Sequence, residues 1–357
     1  TNWNIKICII QVMRLNKEYL IWFLFPLALF YWGVVYWRNF FYNFGFFVSK
    51  RLPCIVISVG NITVGGTGKT PMVIFLAQLL KRHGKKVAIL SRGYGRKSKG
   101  TVLVTDGLSG PISDFEECGD EPYLLANILD GIPLVVDDDR FRGGMFLTQK
   151  FQPQIIILDD GFQHRALERD FDLVLVNARD RMIDHKLLPY GILREPWGNI
   201  TRADAIIVTK TNLQKPKPFL SRKLKETDLR IFNSQMESTV SPIHCHSNSE
   251  SVTLKNKKVF IFSAIGDPAS FRASINNLGA VICGMKEFED HYSYSQQDLE
   301  TIDIQVKKTN AEYLVTTEKD WVKVQNFTSG YPTIVLGAHI RFSKEKELKQ
   351  LLQPFIS

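Results

Sequence analysis

From residue 55 onward, short apolar runs rich in β-branched residues alternate with amphipathic segments of helical periodicity. The runs at 55–59, 86–90, 154–158 and 205–208 are typical of strands that are buried on both faces of a sheet. Helical segments separate these runs, so strands and helices alternate along the chain. This alternation predicts an α/β fold, with a parallel sheet covered by helices on both faces.

A polar segment at 235–251, rich in serine and histidine, interrupts this alternation and lacks helical periodicity. We place a domain boundary there. A second, shorter α/β unit follows, for which we predict strands at 259–263, 281–283, 313–316 and 333–336 and helices capped by Asp267 and Ser295. The pattern therefore predicts two domains, at residues 49–236 and 237–357.

The most apolar stretch of the chain precedes both units and carries no charged side chain at residues 19–37. Its length approaches that of a membrane-spanning helix, and its many aromatic residues suit a membrane interface. A cleaved signal peptide is disfavoured, because no small-residue cleavage site stands out. A spanning helix, a helix lying in one leaflet and a buried helix of the core are the alternatives. We favour a membrane-anchoring helix within residues 1–48.

Composition changes this picture only slightly. A chain of 357 residues with 45% hydrophobic residues is long enough for two domains with real cores. The net charge of +9 favours an anionic partner, such as a nucleotide, a nucleic acid or an anionic membrane surface, without choosing among them. The five cysteines are scattered and form no C-x-x-C pair, which favours a reducing compartment without disulfides.

The clearest chemical signal is the segment IVISVGNITVGGTGKT at residues 55–70. A strand, a glycine-rich loop, a Lys-Thr pair and a helix follow one another, as in a phosphate-binding loop. Thr63 stands where the usual pattern has its first glycine, and the other interpretation is a glycine-rich turn with a chance Lys-Thr pair. The candidate nucleotide-binding residues are Thr63, Val64, Gly65, Gly66, Thr67, Gly68, Lys69 and Thr70.

Two adjacent carboxylates, Asp159 and Asp160, follow the apolar run at 154–158. Beside a phosphate loop, carboxylates at a strand end typically hold Mg²⁺, directly or through water. Turn or helix-capping aspartates are the alternative, but the upstream phosphate loop makes them less favoured. We therefore name Thr70, Asp159 and Asp160 as candidate Mg²⁺ ligands.

Three further polar clusters lie at predicted strand ends or helix starts. The loop at 91–96 contains Arg92, whose guanidinium suits phosphate. Asp120 lies at a helix start, where capping alone could explain an acid. His291 lies beside acids and could pair with a carboxylate to tune a general base. A solvated basic turn, a capped helix and a structural histidine are the alternatives.

In order and spacing, a set of short motifs resembles the tetraacyldisaccharide 4'-kinase family of lipid A biosynthesis. The motifs are VGNITVGGTGKTP, SRGYGR, GDEP, LDDGFQH, LPYGILREP, VTK, EDHY and TTEKD. Each is weak alone, but together they are specific, and they cover nearly the whole chain from about residue 15. Thr63 is itself similar to the family, in which a small hydroxyl residue commonly replaces this glycine.

The resemblance implies a kinase that transfers the γ-phosphoryl group of ATP to the 4'-hydroxyl of tetraacyldisaccharide 1-phosphate. It implies ATP and Mg²⁺ as cofactors, and a glycolipid substrate and a membrane surface as partners. The expected location is the cytoplasmic face of the inner membrane of a Gram-negative bacterium. The implied fold has two Rossmann-like, P-loop NTPase-type α/β domains and an N-terminal hydrophobic membrane-associated helix.

The resemblance also implies residue roles. Asp120 matches the proposed base toward the sugar hydroxyl, and His291 matches the residue that supports this base from the other domain. The phosphate and metal positions match Lys69, Thr70, Asp159 and Asp160, and the positions that line the site match Arg92, Tyr94 and His164. We therefore name Asp120, His291, Lys69 and Arg92 as the candidate catalytic residues.

The main alternative is a membrane-associated P-loop GTPase or ATPase that acts as a switch or binds a protein partner. In such a protein, residues 208–210 (VTK) would contact the nucleobase, and no small acceptor would be phosphorylated. A nucleic-acid-binding ATPase is less favoured, because the basic residues form no run interleaved with aromatics outside the apolar stretch. We therefore expect no nucleic-acid partner.

Overall fold

The computed structural model describes residues 17–240 and 253–357. Within these residues the strands form a twelve-stranded sheet, in the order β10-β9-β11-β12-β8-β7-β6-β1-β5-β2-β4-β3. The strands are β1 (Ile55–Asn61), β2 (Val87–Ser91), β3 (Val102–Thr105), β4 (Leu134–Val136), β5 (Ile155–Asp159), β6 (Phe171–Asn177), β7 (Ala205–Thr209), β8 (Arg230–Val240), β9 (Lys258–Ser263), β10 (Val281–Glu287), β11 (Tyr313–Thr317) and β12 (Thr333–Phe342).

Helices pack on both faces of this sheet, as the alternating pattern predicts, and the α/β fold class is confirmed. In chain order they are α1 (Lys17–Asn43), α2 (Lys69–Arg82), α3 (Phe115–Cys118), α4 (Asp120–Ile128), α5 (Arg140–Phe151), α6 (Pro218–Lys225), α7 (Pro268–Asn277), α8 (Gln296–Thr309), α9 (Glu318–Val324), α10 (Glu345–Leu351) and α11 (Gln353–Ile356). The predicted caps are confirmed, since Asp267 accepts from the Ser270 amide and Ser295 forms a capping box with Asp298.

Most neighbouring strands are parallel, but β3 pairs with β4 and β8 pairs with β12 in antiparallel fashion. β8 was not predicted, and its residues Gln235 to Val240 belong to the polar segment in which we placed the domain boundary. Residues 230–233 pair with β7, and residues 234–240 pair with β12. This one strand therefore joins the strands that precede it in the chain to those that follow it. We call residues 49–236 the first unit and residues 237–357 the second unit; residues 241–251 of the polar segment lie outside the described part.

Helix α1 covers the apolar N-terminal stretch and is tied to the first unit by polar contacts. The Tyr31 hydroxyl donates to the Arg194 carbonyl (2.7 Å), and the Asn39 amide donates to the buried Glu195 carboxylate (3.0 Å). Arg165 donates to the carbonyl of Asn39 (3.1 Å). Among the helices in the described residues, none is both long and apolar enough to cross a membrane.

The outer surface of this segment is strongly apolar. Its large exposed side chains are Phe25, Leu27, Leu29, Phe30, Trp32, Val34, Tyr36 and Trp37, followed after the helix by Phe44, Phe46, Phe47 and Val48. Exposed apolar surface on this scale marks an interaction site rather than ordinary surface. α1 is therefore attached to the first unit by polar contacts and by the buried Ala28 and Val35, while the apolar side chains named above remain exposed.

Candidate active site

The candidate site is a cleft of about 520 Å³ between the two units. β1 and β5 are neighbours at the centre of the first unit, so the loops that follow them reach the same sheet edge. The second unit closes the other side through residues 265–267, 290–291 and 317–319. The lining includes the predicted residues Val64, Gly65, Gly66, Thr67, Gly68, Lys69, Thr70, Arg92, Asp159, Asp160 and His291.

The phosphate loop has the backbone geometry that its glycines predict. Gly65 (φ 103°) and Gly68 (φ 89°) lie in the left-handed region, which side chains disfavour. α2 begins immediately after Gly68, and no side chain caps its first turn. Its amide N–H groups and the positive end of its dipole therefore face the cleft, as an anion site requires.

The structure explains why Thr63 can replace the usual glycine. Thr63 has an ordinary negative φ and forms a β-bridge with Leu193, while the Val64 amide donates to the Ile192 carbonyl (2.7 Å). Thr63 is fully buried and, unlike the rest of the predicted loop, does not line the cleft. No backbone feature at this position requires glycine.

Lys69 and the two aspartates form the charged centre of the cleft. Lys69 Nζ lies 3.6 Å from Asp160 Oδ1, and Arg194 Nη1 lies 2.9 Å from both Asp160 oxygens. Burial would raise the pKa of Asp160, but Lys69 and Arg194 outweigh it and the pKa is lowered. Asp160 is therefore an anion held between two cations.

Asp159 is in a different environment. Its Oδ2 accepts from the Ser91 hydroxyl (2.8 Å), whereas its buried Oδ1 has no hydrogen-bond partner in the described part of the chain. Burial, with the negative charges of Glu121 and Asp160, raises the pKa of Asp159 to about 7. A buried carboxylate oxygen without a partner fits a cation ligand that faces the phosphate loop.

No group of three or more His, Cys, Asp or Glu side chains in residues 17–240 and 253–357 could hold a metal ion by itself. Mg²⁺ commonly uses only one or two carboxylates and takes its other ligands from phosphate and water. Asp159 and Thr70, which both line the cleft, fit that pattern. Asp160 fits it less directly, because both its oxygens accept from Arg194.

Asp120 and His291 meet across the two units although 171 positions separate them in the sequence. His291 Nδ1 lies 3.1 Å from Asp120 Oδ2, and the Tyr94 ring lies 5.2 Å from the imidazole. Burial would raise the pKa of Asp120, but hydrogen bonds from His291 and Lys323 outweigh it and the pKa is lowered. The carboxylate is therefore ionised at neutral pH, as a proton acceptor must be.

Of its two arginines, the loop at 91–96 contributes one to the cleft and one to the fold; Ser91 and Tyr94 also line the cleft. Arg92 lines the cleft and is 3.9 Å from Asp138, with 62% of its side chain exposed. Arg96 instead donates to the carbonyls of Gly100 and Val136 and is almost fully buried. His164 does not line the cleft, and burial together with Arg140 lowers its pKa to about 4.

Three lysines have contacts in the site that were not predicted from the sequence, although Lys210 belongs to the VTK motif and Lys319 to the TTEKD motif. Lys319 and Lys323 of α9 reach the acids of α4, at 3.3 Å from Glu121 and 2.7 Å from Asp120 respectively. Lys210 supports the phosphate loop, because its Nζ lies 2.7 Å from the Gly66 carbonyl oxygen. Helical spacing places Lys319 and Lys323 on α9, but it does not place them opposite a particular acid of the other unit.

Comparisons with known proteins give consistent matches over nearly the whole chain. The family model described as LpxK, tetraacyldisaccharide-1-P 4'-kinase, matches residues 20–357. The tetraacyldisaccharide 4'-kinase of Aquifex aeolicus is 39% identical over 333 residues, which cover 92% of this chain and 97% of that protein. The enzyme of the same name from Desulfotalea psychrophila is 38% identical over 311 residues, covering 86% of this chain and 89% of its own.

A solved structure is also similar. The crystal structure of the "apo" form of LpxK from Aquifex aeolicus in complex with ATP superposes with a TM-score of 0.76 at 38% sequence identity. The match covers 95% of this chain and 100% of that chain. The likeness therefore includes both units and the sheet that joins them.

Proposed function

Because the chain belongs to the tetraacyldisaccharide 4'-kinase family, we propose that ATP and the lipid A precursor meet in the cleft between its two units. The chain is an ATP-dependent tetraacyldisaccharide 4'-kinase, which phosphorylates a hydroxyl group in lipid A biosynthesis. The switch or partner-binding alternative is not favoured, since residues 20–357 match the kinase family. The domain limits at 48/49 and 236/237 remain our proposal; the second falls within β8, near its change of partner strand.

Phosphate binding is assigned to the loop and to α2. The N–H groups of the loop and of the first turn of α2 bind the phosphates, and Lys69 neutralises charge that develops on the transferred group. Arg92, exposed at the rim, supplies a second cation. When bound, Mg²⁺ would offset the charge of the phosphates, and we propose that Asp159 and Thr70 would hold it, with Asp160 beside them.

Asp120 is assigned as the general base. The 4'-hydroxyl oxygen attacks the γ-phosphorus, the bond from that phosphorus to the β–γ bridging oxygen breaks, and ADP leaves with the electron pair. Asp120 accepts the hydroxyl proton, and His291 orients the carboxylate. The observation that carries this proposal is the 3.1 Å contact between Asp120 and His291, which join at the cleft from different units.

A lipid-acceptor assay tests the proposal. The purified full chain with Mg-ATP in detergent micelles should convert tetraacyldisaccharide 1-phosphate to the 1,4'-bisphosphate with stoichiometric release of ADP. The same acceptor with its 4'-hydroxyl replaced by hydrogen is the control and should yield no phosphorylated lipid. ATP turnover that is indifferent to the acceptor, with no lipid product, would contradict the kinase assignment.

We further propose that the enzyme works on a membrane surface, at the cytoplasmic face of the inner membrane of a Gram-negative bacterium. Exposed apolar residues cover α1, and Arg38, Lys50 and Arg51 lie beside them, where they would favour anionic lipid. The acyl chains of the substrate need such a surface near the cleft. Arg194 links α1 to the cleft, since its carbonyl accepts from Tyr31 of α1 and its guanidinium donates to Asp160 in the cleft.

Replacing Phe30, Trp37 and Val34 on the outer face of α1 by serine should release the protein from membranes. Each is between 51% and 73% exposed, so the loss of apolar contact with lipid is expected to dominate over any loss of packing. The measurement is co-flotation with vesicles that contain anionic lipid. A matched triple change of the exposed Val281, Ile304 and Leu108 to serine should leave flotation intact. Undiminished flotation of the α1 variant would contradict the membrane role of this face.

A further inference from the structure

A buried lysine of the second unit contacts the candidate base directly. Lys323 lies on α9, and only 3% of its side chain is exposed. Its Nζ is 2.7 Å from Asp120 Oδ2 and also donates to the Tyr292 carbonyl (3.1 Å). One ammonium group therefore binds the first unit at Asp120 and, within the second unit, the loop that carries His291.

Both partners of Asp120 use the same oxygen. His291 Nδ1 and Lys323 Nζ contact Oδ2, and these contacts fix the plane and direction of the carboxylate. With Oδ2 engaged, Oδ1 is the oxygen left to receive the proton of a substrate hydroxyl. Holding a reacting group in one orientation is a substantial part of catalysis, because misplacement by about 1 Å can cost 10²-fold in rate.

The loop beside Lys323 needs this support. His291 adopts a left-handed backbone conformation (φ 62°), which a residue with a side chain maintains only where its surroundings hold it. The Tyr292 carbonyl follows it directly and accepts from Lys323. The lysine thus helps to hold the strained residue that contacts Asp120.

The local charges favour the ionised carboxylate. His291 contacts Asp120 from the loop and Lys323 contacts it from α9, while Lys319 of α9 binds Asp290 and Glu121, the neighbour of Asp120 on α4. A buried ammonium at 2.7 Å is the closest full positive charge in this group. It stabilises the carboxylate against protonation, and only 15% of the Asp120 side chain is exposed.

We propose that Lys323 is a positioning residue for phosphoryl transfer, which fixes Asp120 with one free oxygen and anchors the His291 loop. The proposal rests on the assignment of Asp120 as the base. Lys323 acts through Asp120 and does not touch substrate. Because Lys323 and Asp120 belong to different units, the base is held in place only where the two units meet.

The first test is Lys323→Met in the full chain. We expect kcat for lipid phosphorylation to fall about 10- to 100-fold, while KM for ATP stays within about twofold, because the lysine does not contact the phosphate loop. Lys323→Gln keeps a hydrogen bond without the charge, so its kcat should lie between those of the unaltered chain and Lys323→Met. Lys308→Met, an exposed lysine of α8, is the matched control and should leave kcat unchanged.

A double-mutant cycle and a pH profile separate positioning from simple loss of packing. In an Asp120→Asn background, Lys323→Met should cause no further loss of kcat, because its target carboxylate is gone. In the single variant, the pKa of Asp120 should rise, so the acidic limb of kcat should move upward by about one pH unit. Additive losses of kcat, or an unmoved acidic limb, would overturn the proposal.

Two outcomes distinguish this inference from the assignment on which it rests. Full activity of Asp120→Asn would remove the base assignment and the positioning role together. An inactive Asp120→Asn beside a fully active Lys323→Met would leave the base in place and refute the role of Lys323 alone. If Lys323→Met does not fold, as judged by its melting transition and ATP binding, the same measurements on Lys323→Gln decide.

Discussion

Asparagine in place of Asp120 is expected to lower kcat for lipid phosphorylation by about 10²- to 10⁴-fold, the usual contribution of a general base. The amide has nearly the same shape as the carboxylate but accepts no proton at neutral pH. In the described part of the chain the side-chain partners of Asp120 are His291 and Lys323, neither of which belongs to the phosphate loop, so KM for ATP should change little. Steady-state kinetics with lipid and ATP varied separately would measure both quantities.

Asp114→Asn is the matched control for this variant, because Asp114 is an exposed acid just before α3 whose side chain makes no capping hydrogen bond. Its kcat should equal that of the unaltered chain. An Asp120 variant that loses ATP affinity and kcat to the same extent would show that the carboxylate supports the nucleotide site instead of the acceptor. That result would transfer the role of base to another group of the cleft, such as Glu121.

The first unit could be predicted closely from the sequence because its strands are continuous apolar runs bounded by turn residues. β8 could not, since its inward-facing residues, Phe232, Ser234 and Met236, include a serine and alternate with polar residues. The polar composition of the segment favoured a domain boundary, and this short alternation is too weak to outweigh it unless the partner strand is known. The pairing with β12 supplies that partner from more than 90 residues downstream.

In the candidate site, too, features set by neighbouring residues could be predicted, whereas contacts between distant residues could not. The phosphate loop and Asp159-Asp160 have local signatures, because a strand, a turn and a helix must follow in fixed order. Asp120 and His291 were linked only through family resemblance, and Lys323 was not singled out at all. Contacts between units depend on how two surfaces meet, and a single sequence carries no spacing rule for that.

The second large effect is expected for Lys69→Met, which should lower kcat/KM for ATP by about 10³-fold or more. Lys69 is 13% exposed and lies 3.6 Å from Asp160, so its charge acts in a site of low dielectric directly beside the phosphates. Removing one such preorganised charge typically costs 10²- to 10³-fold in kcat, and the loss of phosphate binding adds to it. Lys86→Met, an exposed lysine before β2, is the matched control.

Comparing the two variants separates the donor half of the site from the acceptor half. Lys69→Met should strongly lower both the transfer to the lipid and the slow hydrolysis of ATP by water. Both reactions transfer the γ-phosphoryl group, and Lys69 neutralises the charge on that group in each. Asp120→Asn should abolish transfer to the lipid while hydrolysis persists, since its partners lie away from the phosphate loop. Measuring released phosphate and phosphorylated lipid in one reaction resolves the two activities. Equal loss of both in each variant would mean that Asp120 and Lys69 serve a single function, and the acceptor assignment of Asp120 would then fail.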